Sequence, residues 1–275
     1  MKSTRWLSLL VTLVLLAAAC DDGGDGGTGD TRPTRGVKRG TLRVHSHTDV
    51  DALDPGVAYA SFDFALLRGM VRELYSFDTR LTGERSLVPV PDLADGPYLL
   101  SDDGRTYTFR IRRGVRYAPP VDREVEARDF IYAVERQLDP DQPPPGSPNP
   151  YARLISGADD FAAGRAGSIS GMKARDSHVL QITLDRPASD FPSLLTLPFF
   201  SPVPEEYASK YQLGAEYAKR VVASGPYKLK QYLPGRRLEL VRNENWDPHT
   251  DPLRSAWVDK ISVDIGRSET EIQQA

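Results

Sequence analysis

Residues 101–136 read SDDGRTYTFRIRRGVRYAPPVDREVEARDFIYAVER. The Asp102-Asp103-Gly104 step supplies a residue free to take positive φ, as a tight reversal requires. From Thr106 to Ile111 the chain alternates, with Tyr107, Phe109 and Ile111 on one face and Thr106, Thr108 and Arg110 on the other, the pattern of a half-buried strand. Arg112-Arg113-Gly114 turns the chain again. Ala127, Phe130, Ile131, Val134 and Leu138 then recur at spacings of three and four, which predicts a helix with one apolar stripe. Asp129 falls in its first turn, where the helix dipole favours a carboxylate. Glu126 stands at the N-cap, a poor cap beside Ser, Thr or Asp. These residues predict a turn–strand–turn–helix unit within an α+β domain.

On the N-terminal side, Thr41–His47 predicts a first strand, and Asp54-Pro55-Gly56 breaks the chain. Phe62–Tyr75 carries Phe62, Leu66, Leu67, Met70, Val71 and Leu74 at helical spacing. On the C-terminal side, Asp141–Pro150 is a Pro-rich connector and Tyr151–Ala163 a predicted helix. Met172–Ala174 and His178–Leu184 form a hairpin around Asp176-Ser177. Ser189–Leu195 predicts a short helix, Phe199–Val203 an extended apolar run, and Pro204-Glu205-Glu206-Tyr207 another helix start. Ser224–Trp246, SGPYKLKQYLPGRRLELVRNENW, holds two strands, Tyr227–Tyr232 and Arg237–Arg242, around the Pro234-Gly235 turn. Ile261, Val263 and Ile265 alternate in the next strand. Ser268 and Glu271 form an S-x-x-E capping box for a following helix.

The 275 residues are 40% hydrophobic and 27% charged, with a net charge of −3. This is globular composition with ample material for a core, and nothing basic is concentrated as nucleic-acid binding requires. Residues 1–19 read as a secretion signal. Lys2 and Arg5 precede the apolar run Trp6–Leu16, which is too short to span a bilayer, and Ala17-Ala18-Ala19 are small. Cys20, the chain's single cysteine, follows at once and resembles the lipidated cysteine of a bacterial lipobox. An ordinary secretory signal with an incidental cysteine is the alternative. Residues 20–39, with the run DDGGDGGTGD, read as a flexible tether. There is no G-x-S-x-G elbow and no H-E-x-x-H pair, so no enzyme chemistry is read here. His45 and His47 face one side of a strand but lack further nearby ligands, so neither metal nor cofactor is expected.

The order S-D-D-G-x-T-Y-T-F-x-I-R-x-G-V followed by E-A-x-D-F-x-Y-A-x-E-R resembles the family 5 extracellular solute-binding proteins. The opening TLRVHSHTDVDALDPG, the step LVPVPDLAD and the segment G-P-Y-K-L … P-G … L-x-R-N-x-x-W resemble the same family. Pro119-Pro120 and Glu126 depart from it, where Asp-Gly and Thr are usual. The resemblance implies a periplasmic-binding-protein-like type II fold, α+β with an α/β-type lobe. It divides the chain into a discontinuous first lobe, residues 40–80 and 200–275, and an inserted subdomain, residues 81–199. The helix announced at Ser268 would open a second lobe, so the chain is expected to be the front half of such a receptor. By position in the motifs, Tyr59, Ser61 and Phe62 of the first loop and Ser224, Gly225 and Tyr227 of the return strand are the expected ligand contacts. The implied function is peptide capture for an ABC importer. The implied partners are an oligopeptide, permease subunits with their ATPase, and the membrane through the lipid anchor. That places the protein on the extracytoplasmic face of the bacterial membrane. Nickel, haem or sugar ligands, or a non-transporting surface lipoprotein, are the alternatives.

Overall fold

A computed structural model gives the fold and describes residues 38–142 and 149–268, with positions 270 and 273. The leader, Cys20, the tether to residue 37, most of the Pro-rich loop and Glu271 lie outside the described residues. In chain order the first elements are β1 (Thr41–Ser46), α1 (Ser61–Met70), β2 (Tyr75–Phe77), β3 (Pro89–Pro91), β4 (Leu99–Leu100), β5 (Thr106–Arg110) and α2 (Ala127–Leu138). There follow α3 (Ala158–Ala162), β6 (Met172–Asp176), β7 (Val179–Thr183), α4 (Phe191–Leu194), α5 (Glu205–Ala208), β8 (Tyr227–Leu233), β9 (Arg237–Arg242) and β10 (Lys260–Ile265).

Two four-stranded sheets organise the chain. One has the order β1-β10-β9-β8, with β1 parallel to β10 and the remaining pairs antiparallel. Its register sets Leu42, Ile261, Leu240 and Leu229 in one cross-strand row, and Val44, Val263, Leu238 and Tyr232 in the next. Same-face apolar neighbours of this kind are what stabilise a sheet. All of these except the exposed edge residue Leu42 pack with Leu66, Leu67 and Met70 of α1 in one hydrophobic cluster. The other sheet has the order β4-β5-β7-β6. Tyr107, Phe109, Leu180 and Ile182 pack there with Phe130, Val134 and Leu138 of α2 in a second cluster. The alternation read at 106–111 and the stripe read at 127–138 thus meet each other. A two-stranded ladder, β2 with β3, leads from one sheet to the other.

Four details differ from the sequence reading. The first helix ends at Met70 rather than Tyr75, with Val71 already extended at φ −119° and ψ 159°. The carbonyls of Glu73 and Leu74 accept instead from Leu93 (2.9 Å) and from Asp92 (3.0 Å) and Ala94 (3.1 Å). Val71 and Leu74 are buried in this extended chain, and over so short a run periodicity cannot separate helix from buried strand. The predicted helix at 151–163 is a 3-10 turn, Pro150–Leu154, followed by α3, because Gly157 breaks it at φ +80°. Pro198–Phe200 is also a 3-10 turn rather than extended chain. At α2 the weak cap is compensated from inside the helix. The Asp129 carboxylate accepts from the Glu126 amide at 2.8 Å and is held by Arg123.

Candidate functional site

The loop that follows β1 is pinned by three aspartates. Asp63, in the first turn of α1, accepts from the Asp51 and Ala52 amides at 3.2 Å each. Burial raises its pKa. Asp54 is fully buried. It accepts two bonds from Arg136 of α2, at 3.0 and 2.8 Å, and one each from the amides of Gly56 (3.0 Å) and Gly214 (2.7 Å). The Arg136 guanidinium also lies 4.5 Å from the centre of the Tyr217 ring. Asp49 accepts from the Gly235 amide at 2.5 Å, and its hydrogen bond with Tyr232 joins burial in raising that phenol's pKa. A loop fastened this way presents its remaining side chains on a rigid support. Tyr59 stands 62% exposed, its ring 6.3 Å from that of Phe199.

The parallel pair β1 and β10 ends beside that loop, and the carboxyl edge of parallel strands is where open α/β sheets take ligands. On the face away from α1, the register aligns His45, Asp264, Arg237 and Leu233 across the four strands. Gly266, at φ +77°, turns the chain out of β10, and a side chain there would meet the Gly235 carbonyl at 3.2 Å. The result is an open hollow of about 530 Å³ lined by Leu233, Gly235, Arg236, Arg237, Asp264, Ile265 and Arg267. Arg237 Nε donates to Asp264 at 3.1 Å, and His45 Nδ1 lies 3.8 Å from the same carboxylate.

A buried ionic network stands behind the edge. Arg72 pairs with Asp92 at 2.7 Å and donates to the Thr250 carbonyl at 2.8 Å. Arg254 reaches Asp92 at 2.8 Å, Glu73 at 3.3 Å and Asp251 at 3.3 Å. Trp246 Nε1 donates to Asp251 at 3.0 Å. Burial works against the charge on Asp92, yet Arg254 and Arg72 hold its pKa below the usual carboxylate range. Glu73 goes the other way. Burial, with Asp92 beside it, pushes its pKa up to about 8 against the pull of Arg254 and Arg68.

The six residues expected to touch ligand do not share one surface. Tyr59 and Ser61 are exposed and Phe62 half-buried at the start of α1. Ser224 is buried. Its hydroxyl accepts from the Arg72 amide at 3.0 Å, and its own amide donates to Met70 at 3.0 Å. Gly225 donates to the same carbonyl at 2.8 Å, and buried Tyr227 donates its hydroxyl to Val258 at 2.9 Å. Ser224 and Gly225 thus join the return strand to the end of α1, while Tyr227 ties it to the segment before β10. The hollow's arginines were not singled out by sequence reasoning, although PGRR contains two of them; there they read only as a turn and a strand start. Among the described residues no group of three or more His, Cys, Asp or Glu side chains is placed to hold a metal ion. Among them, too, no helix is long and apolar enough to cross a membrane.

The chain matches the family model for bacterial extracellular solute-binding proteins, family 5 Middle, over residues 88–275. It is 29% identical over 218 residues to the periplasmic oligopeptide-binding protein OppA of Salmonella typhimurium, covering 75% of this chain and 37% of that protein. Against the oligopeptide-binding protein OppA of Bacillus subtilis it is 28% identical over 281 residues, covering 98% and 48%. The chain thus spans less than half the length of these relatives. Among solved structures, the clavulanic acid biosynthesis oligopeptide binding protein 2 superposes with a TM-score of 0.76 at 36% identity, covering 84% of this chain and 41% of that one. Listeria monocytogenes OppA bound to peptide superposes at 0.68 with 23% identity, covering 82% and 42%, a likeness of fold alone. The fold is that of type II periplasmic binding proteins, of mixed α/β content, and the chain belongs to the bacterial extracellular solute-binding proteins, family 5.

Proposed function

We propose that this chain forms the leading part of a peptide-capturing lipoprotein that serves an ABC importer. The observation that carries the reading is its likeness to proteins named for oligopeptide binding, among them one solved structure at 36% identity. In this reading residues 40–80 and 200–275 make one jaw of the ligand site and residues 81–199 an appended subdomain. An extended peptide is held through its backbone, which every peptide shares, while roomy hydrated pockets accept varied side chains. Tyr59 contributes from the first loop and Ser61 and Phe62 from the start of α1, a support fixed by Asp49, Asp54 and Asp63. Ser224, Gly225 and Tyr227 act beneath that surface by holding the return strand in place. Cys20 carries the lipid that retains the protein at the extracytoplasmic face of the membrane, where permease subunits with their ATPase receive the peptide.

The test is to extract the native protein from membranes, denature it, and identify by mass spectrometry the small molecules it releases. Short peptides of mixed sequence are the expected cargo. A metal ion, haem or sugar in stoichiometric amount would overturn the peptide reading. Replacing Cys20 by Ser moves the protein to the soluble fraction if the anchor is correctly assigned, and an unchanged membrane fraction refutes it.

A further inference from the structure

We propose that the basic rim where the folded chain begins lies against an anionic phospholipid surface. The inference rests on the lipid-anchor reading above and names the face that the anchored protein turns to its membrane.

Thr41, the first residue of edge strand β1, shares a cross-strand row with Lys260, Val241 and Lys228. The next row on the same face holds Arg43, Ser262, Glu239 and Gln231. This face points away from α1 and is polar, as the solvent side of a half-covered sheet is. Its carboxylates are already taken. Glu239 pairs with Lys260 and has Lys230 at 3.9 Å, and Glu244 holds Lys228 at 2.6 Å. Asp259, the carboxylate nearest Arg39, accepts from Arg242 at 3.1 Å and from the Gly40 amide at 3.0 Å. Lys38, Arg39 and Arg43 are exposed and form no ion pair among the described residues, so the rim keeps a surplus of positive charge. Trp257 stands among these cations, 36% exposed. Its carbonyl accepts from the Arg39 amide at 3.0 Å and from Arg242 Nη2 at 3.2 Å. An exposed indole ringed by cations matches a bilayer interface, where the ring sits at headgroup level and the cations meet anionic lipid. Lys38 is the first described residue and stands 18 positions after Cys20, the expected site of the lipid. The rim is therefore the part of the fold joined most directly to the membrane. β1 runs from this rim towards the loop that carries Tyr59, so contact at the rim turns the ligand edge outward, open to capture.

The test uses the mature full-length protein carrying Cys20→Ser, which removes the lipid and leaves the rim intact. The probes are phosphatidylcholine vesicles with and without phosphatidylglycerol. Co-sedimentation should show binding only with phosphatidylglycerol, weakening as salt is raised. Lys38→Gln, Arg39→Gln and Arg43→Gln combined should lower vesicle affinity about a hundredfold, at about fivefold per cation. Because these side chains are exposed, circular dichroism should show the variant folded. A charge-matched control, Arg85→Gln with Arg113→Gln and Lys173→Gln, exposed elsewhere on the chain, should bind like the parent. Tryptophan emission should shift to the blue on binding, and Trp257→Phe should abolish the shift although Trp246 remains. Equal binding by parent and rim variant overturns the proposal. An equal loss in the control overturns it too, since net charge rather than the rim is then read, and so does a blue shift that survives Trp257→Phe. If the unlipidated protein binds no vesicles while the native protein stays with membranes, the proposal falls and the anchor stands. If the native protein proves to carry no lipid while rim-dependent vesicle binding persists, the anchor falls and the rim stands. Rim-dependent binding to purified permease subunits in place of vesicles overturns the proposal and assigns the rim to a protein partner.

Discussion

Replacing Glu73 by Gln should change how stability depends on pH while leaving the packing in place. Glu73 is 2% exposed, faced by Arg254 at 3.3 Å with Asp92 and Arg68 nearby. Its pKa rises from 4.5 to about 8, burial being the largest cause. Between those two values the folded chain keeps a proton that the unfolded chain releases. Stability from this group is therefore complete below about pH 4.5 and declines as pH rises towards 8. The slope is about 1.4 kcal/mol per pH unit, so the loss between pH 5.5 and 7.5 is about 2.5 kcal/mol. Gln has the same shape and no titration. The difference in unfolding free energy between wild type and Glu73→Gln should thus move by about 2.5 kcal/mol in favour of Gln across that interval. Urea melts at several pH values between 5 and 9 measure it. Parallel stability curves for the two proteins would refute the reasoning, because they would mean that Arg254 keeps Glu73 ionised in the folded state.

Asp54→Ala strands the Arg136 guanidinium in the interior and removes the acceptor of two loop amides; a loss of about 3–5 kcal/mol is expected in urea unfolding. Gly225→Ala places a methyl 3.0 Å from the Gly69 carbonyl and 3.1 Å from that of Met70, and should cost about 1–3 kcal/mol in the same assay. Tyr59→Ala, at a 62% exposed position, should leave stability within about 0.5 kcal/mol while raising the peptide Kd about tenfold by calorimetry. An unchanged Kd would remove Tyr59 from the ligand surface.

Much of the fold was legible because local periodicity survives packing. Tyr107, Phe109 and Ile111 alternate in the sequence and are each at most 2% exposed in the structure. The Pro-Gly turn between β8 and β9, and the apolar stripe of α2, follow the same logic. Helix ends were less legible. Val71 and Leu74 continue the helical spacing, yet they belong to extended chain whose carbonyls are taken by residues 92–94. The expected ligand contacts divided for a related reason. Ser224 and Gly225 sit in a strong motif, and their hydrogen bonds to the Met70 carbonyl are a tertiary contact that the motif itself does not display.

The sequence by itself determined the strands and helices that alternate cleanly and, through its long motifs, the family. Only the tertiary structure decided which charges are buried and which partners they meet. Arg72 meets Asp92 and Thr250, while Arg237 meets Asp264. Partners separated by 20, 178 and 27 positions leave no local pattern, since each carboxylate and guanidinium looks like surface until the sheet register and the loop closures bring its counterpart beside it.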